Sequence, residues 1–63
     1  MKTTGKHTPE VIEQFWRLLS EGYSYKEIER RIGVSKWTCV DWARFKTQPG
    51  VNMRMARKYG VAA

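Results

Sequence analysis

The sequence predicts an all-α domain of three helices, with a basic N-terminal arm at 1–7, a helical body at 8–48 and a short C-terminal extension at 49–63. Three observations carry that expectation. Apolar residues recur at three- and four-residue spacing in three separate stretches. A hydroxyl residue able to cap a helix stands before each stretch: Thr8, Ser24 and Ser35. Glycine follows the first two stretches, at Gly22 and Gly33.

The first helix is expected from Pro9 to Glu21. Thr8 can accept a bond from a free N–H, Pro9 fits the first helical position, and Glu10 suits the positive end of the dipole. Ile12, Phe15 and Leu19 share one face, flanked by Val11 and Leu18 on one side and Trp16 on the other. Ser24-Tyr25-Lys26-Glu27 is a capping box, so a second helix is expected from Tyr25 to Ile32, with Tyr25, Ile28 and Ile32 on one face. Gly33-Val34-Ser35 is a tight connector, in which Val34 plugs the core and Ser35 caps the next helix. The third helix is expected from Lys36 to Phe45 or Lys46. Cys39, Trp42, Ala43 and Lys46 share its inner face; Trp37, Val40, Asp41 and Arg44 share the opposite one. Pro49-Gly50 reads as a turn or breaker. Beyond it, Asn52 can cap a short helix with Met53, Ala56 and Tyr59 inward, or the segment forms an irregular arm or an edge strand.

Composition narrows the function classes. The chain has 63 residues, with 12 Lys and Arg against 6 Asp and Glu, a net charge of +6. A chain of this length buries only about 60% of its unfolded surface, which leaves little room for a deep catalytic cleft. One cysteine, Cys39, forms no internal disulfide and gives no metal-site spacing. Lone His7 has no catalytic partner, and no nucleophile–base pair or carboxylate pair stands out, so no enzyme activity, cofactor or metal is expected. No apolar run is long enough for a membrane span or a signal peptide, so a cytoplasmic protein with a reduced thiol is expected. The charge is uneven: +2 in 1–7, −1 in 8–20, zero in 21–34, +2 in 35–48 and +3 in 49–63. Basic ends and a basic third helix around a balanced body suit a polyanion, and duplex DNA better than a membrane surface.

Two helices joined by a three-residue turn containing glycine form a helix-turn-helix unit, whose second helix projects far enough to enter a major groove. The stretch from Ser24 to Val40, with its Gly33-Val34-Ser35 turn and the preceding Arg17-Leu18-Leu19-Ser20-Glu21-Gly22, resembles the C-terminal domains of DNA invertases and resolvases and related transposase or phage-regulator domains. The resemblance covers roughly 8–46. It implies that Ile28, Ile32, Val34, Cys39 and Trp42 form the core, and that Ser35, Lys36, Trp37, Thr38, Val40, Asp41 and Arg44 face DNA. It also implies that the arm with Lys6 enters the adjacent minor groove. Two positions depart from the family: Glu29 stands where a small residue is usual, and Cys39 replaces a Val or Leu. The catalytic recombinase domain is not part of this sequence, so a DNA-binding module used alone is expected.

Each candidate has its own chemistry. Arg44 and Lys36 can bond base edges or phosphates, and Arg can grip guanine O6 and N7 together. Ser35 and Thr38 suit a phosphate oxygen at the helix start, although Ser35 also serves as a plain cap. Val40 can meet a thymine methyl; Asp41 can accept from a cytosine amine or repel phosphate. Trp37 meets thymine methyls or sugar, contacts a partner protein, or folds back under the C-terminal segment. Lys46, Arg54, Arg57 and Lys58 can track the backbone. The first reading is therefore sequence-specific double-stranded DNA binding by a transcription regulator of phage or mobile-element type. The alternatives are a protein-interaction module, for instance one binding host RNA polymerase, and a recombination directionality factor. A homodimer would imply a palindromic site.

Overall fold

The computed structural model describes residues 8–61. Among them are four helices and no strand: α1 (Pro9–Ser20), α2 (Tyr25–Ile32), α3 (Lys36–Ala43) and α4 (Pro49–Lys58). The described residues are all-α, as expected. The expected basic arm at 1–7, with Lys6, lies outside the described residues.

The first three helices begin where their caps are written. The Val11 N–H reaches Thr8 Oγ1 at 3.4 Å and the Trp37 N–H reaches Ser35 Oγ at 3.2 Å. The capping box of α2 is complete: Glu27 N–H donates to Ser24 Oγ at 3.3 Å and Ser24 N–H donates to Glu27 Oε1 at 3.4 Å. Gly33 ends α2 in the left-handed conformation, φ 73°, which a side chain would strain. Val34, next in the turn, is 3% exposed and plugs the space between the helices.

α1 packs against α2 and α4; α3 packs against α2 and, more lightly, α4. The core is Ile12, Phe15 and Trp16 from α1, Ile28 from α2, Val34 from the turn, Cys39 and Trp42 from α3, and Met55 and Ala56 from α4. Phe15 sits at its centre, edge-on to Trp16 (5.0 Å between ring centroids) and to Trp42 (5.4 Å), and stacked on Tyr25 at 6.2 Å. Such pairs contribute about 0.5–1.5 kcal/mol each beyond their burial. Burial among them pushes the Cys39 thiol up to about 11, with the Glu29 carboxylate adding to the shift, so this thiol stays protonated and inert at neutral pH.

The structure departs from the sequence reading around 44–56. α3 stops at Ala43 rather than at Phe45 or Lys46. Its end is a Schellman arrangement: Lys46 N–H donates to the Asp41 carbonyl at 2.9 Å and Phe45 N–H to the Trp42 carbonyl at 3.0 Å. Phe45 itself takes the left-handed position, φ 59°, where glycine is usual. A non-glycine residue there costs about 1–2 kcal/mol. The ring's stack on buried Trp16, 5.8 Å between centroids, offsets that cost. Lys46 therefore leaves the inner face and is exposed.

Pro49-Gly50 is not a breaker. It forms the first two positions of α4, where proline is well tolerated because its missing N–H would have had no helical partner. Nor is Asn52 a cap. It is fully buried inside α4 and fully engaged: its Oδ1 accepts from Trp16 Nε1 at 2.8 Å, and its Nδ2 donates to the carbonyls of Thr47 at 2.8 Å and Gln48 at 3.0 Å. With Asn52 turned inward, Met55 and Ala56 follow it into the core, and Met53 is left 48% exposed rather than inward.

Candidate functional site

α2, the Gly33 turn and α3 place one face of α3 in the open. Residues at i, i+3, i+4 and i+7 lie on one side of a helix, and here they are Trp37, Val40, Asp41 and Arg44. Cys39 and Trp42 hold the opposite side in the core. Trp37 is 72% exposed, so it neither folds back under the C-terminal segment nor joins the other aromatics. Arg44, at the end of α3, is exposed, while Val40 and Asp41 are half-buried. Ser35 and Lys36 are exposed at the start of the helix and Thr38 is half-buried. The Lys36 ammonium lies over the Trp37 ring, 5.2 Å from its centroid, which holds a cation beside an exposed aromatic plane. Ser35 Oγ is already used as the cap, accepting from the Trp37 N–H.

The structure brings Ser35, Lys36, Trp37, Thr38, Val40, Asp41 and Arg44 together on one helix, with exposed Lys46 just beyond its end. Arg54 and Lys58 stand apart on α4. Arg54 and Arg57 are exposed there. Lys58 turns toward α1: its Nζ donates to Glu13 Oε2 at 2.6 Å, and the Tyr59 hydroxyl donates to the same oxygen at 2.7 Å. Those two donors, Lys58 first, hold the Glu13 carboxyl below its ordinary value of 4.5. The same contacts push Lys58 and Tyr59 upward. Nothing in the sequence pointed to this joint, because its members lie 45 and 46 positions apart.

An open groove of about 380 Å³ runs between α1 and α2. Its charged side chains are engaged: Arg17 pairs with Glu21 at 3.5 Å, and the Arg31 guanidinium lies over the Tyr23 ring, 4.3 Å from its centroid. Among the described residues, no group of three or more His, Cys, Asp or Glu is placed to hold a metal ion, and no helix is long and apolar enough to cross a membrane. Where the groove is satisfied, the outward face of α3 holds the exposed Trp37 and Arg44 beside half-buried Asp41. Comparison with known protein families, with curated proteins and with solved structures returns no match for this chain.

Proposed function

We propose that the chain binds double-stranded DNA sequence-specifically as a small helix-turn-helix protein, with α2 across the backbone and α3 in the major groove, and that it serves as a transcription regulator of the phage or mobile-element kind. The observation that carries the reading is the outward face of α3. A Trp that is 72% exposed stands one and two turns before Asp41 and Arg44, on a helix that the left-handed Gly33 and buried Val34 fix against the body. Large aromatics are normally covered, and here the others are buried or half-buried. A groove edge offers such a face thymine methyls for Trp37 and Val40, and guanine acceptors for Arg44. Exposed Lys36, Lys46, Arg54 and Arg57 supply charge for the phosphates.

The test is selection of binding duplexes from a random pool, followed by titration of the enriched duplex against random duplex at about 150 mM salt. The reading expects a clear preference that falls steeply with added salt, and an Arg44→Ala variant that loses about tenfold on the enriched duplex and less on the random one. Equal affinity for enriched and random duplex would remove it. The same exposed Trp37 favours a second reading, in which it anchors a protein partner such as RNA polymerase. One stoichiometric protein retained from a nuclease-treated lysate by the wild type, and lost with Trp37→Ala, would select that reading.

A further inference from the structure

From residue 30 to the end of the sequence there are eight Lys and Arg and one acidic residue, Asp41. It sits where an acid is least welcome on local grounds. It lies in the last turn of α3, Lys36–Ala43, where the helix dipole disfavours negative charge, and aspartate is a poor helix former in that position. It caps no N-terminus. Among the described residues its carboxylate makes no ion pair, although exposed Arg44 stands one turn further on the same face. A residue that breaks local rules without a structural return marks a functional position.

Resting on the DNA-binding reading above, we infer that Asp41 sets base preference on the outward face of α3 by accepting a hydrogen bond from the 4-amino group of a cytosine. An unpaired carboxylate next to a duplex is repelled by phosphate, so its approach is favourable only where a base-edge donor meets it. In the major groove that donor is the amine of cytosine, whereas adenine sets an acceptor beside its amine and suits Asn or Gln instead. Arg44, one turn on, supplies the matching guanidinium for a guanine acceptor. The pair thus divides the work: Arg44 rewards a G·C pair, and Asp41 penalises every register that leaves it facing an acceptor.

The experiment compares wild type with Asp41→Asn, an isosteric change at a half-buried surface position. Each protein is put through selection from the same random duplex pool, then titrated on both enriched duplexes and on random duplex at about 150 mM salt, and its Tm is measured. The inference expects a fixed C·G pair in the wild-type selection that becomes A·T in the variant's. It expects random-duplex affinity to rise severalfold and the specific-to-random ratio to fall about tenfold, with Tm unchanged or higher. An identical selected sequence with parallel tightening on every duplex would show that Asp41 acts by charge alone; the inference then fails while the DNA reading stands. A lower Tm with unchanged preference would likewise overturn it, by making Asp41 structural. A wild type that enriches no sequence brings down the DNA reading and the inference together.

Discussion

The joint between α1 and α4 and the joint between α2 and α3 are held by different physics. α4 is fastened to α1 by directed polar links: the buried Asn52 amide grips Trp16 and the 47–48 backbone, and Glu13 takes both Lys58 and Tyr59. α3 is fastened to α2 by apolar filling, with Ile28, Val34, Cys39 and Trp42 all within 3% of full burial. The polar groups of the first joint are used up inside the molecule. Those on the outer side of the second are left facing solvent. Directed hydrogen bonds thus complete the body, and the outer face of α3 is left chemically available.

The largest expected effect is at Asn52. Asn52→Ala leaves the Trp16 N–H without its partner in the core and takes the side-chain donor from the Thr47 carbonyl, while the Gln48 carbonyl keeps the backbone N–H of residue 52, at a cost of about 3 kcal/mol. A core of this size supplies only about 3–5 kcal/mol net. Thermal melts followed by circular dichroism should therefore show Tm lower by about 10–20 °C, or no cooperative transition. A shift under a few degrees would mean that the polar joint is incidental. Val34→Ala should cost less, about 2 kcal/mol of lost burial and cavity. It bears on the other joint, so it should also weaken binding to an enriched duplex, by letting α3 move against α2. Reduced stability with unchanged affinity would separate that joint from the proposed site.

A smaller effect is expected from pH. Glu13 has a folded pKa below its ordinary 4.5, so its contribution is full above that value and fades as pH falls through the lowered one. Tyr59 and Lys58 are shifted up from 10.0 and 10.5, so their share is full below those values and is lost as pH rises through the raised ones. Urea midpoints for wild type and Glu13→Gln should differ at about pH 6 and converge as pH falls through the lowered pKa of Glu13. A constant difference would show that Glu13 acts through packing rather than charge.

The same contrast explains what was legible in the sequence. Caps at Thr8, Ser24 and Ser35 and the Gly33 turn are local devices, each decided within four residues, and the first three helix starts follow from them. The face of α3 was legible for the same reason, since it depends on helical period alone. The end of α3 and the whole of α4 were not. Phe45 takes a glycine's backbone position because of Trp16, and Asn52 turns inward because of Trp16, 36 positions away. Pro49-Gly50 and Asn52 carry the local marks of a turn and a cap, and only a distant partner changes their meaning. Lys58 reads as a free cation for the same reason, until Glu13 is seen opposite it.

The proposal that the outward face of α3 closes on duplex DNA can be read from tryptophan emission. Trp16 and Trp42 are 2% and 1% exposed and Trp37 is 72% exposed, so a polar quencher such as acrylamide reaches Trp37 emission almost alone. The direct measurement is acrylamide quenching with and without a saturating enriched duplex, using Trp37→Phe as the reference. Because Trp37 is so exposed, that change should move stability by less than about 0.5 kcal/mol. On binding, the accessible fraction should fall away in the wild type, and the reference should show little quenching in either state. Duplex-bound protein whose Trp37 remains as open to the quencher as in the free state would contradict the proposal.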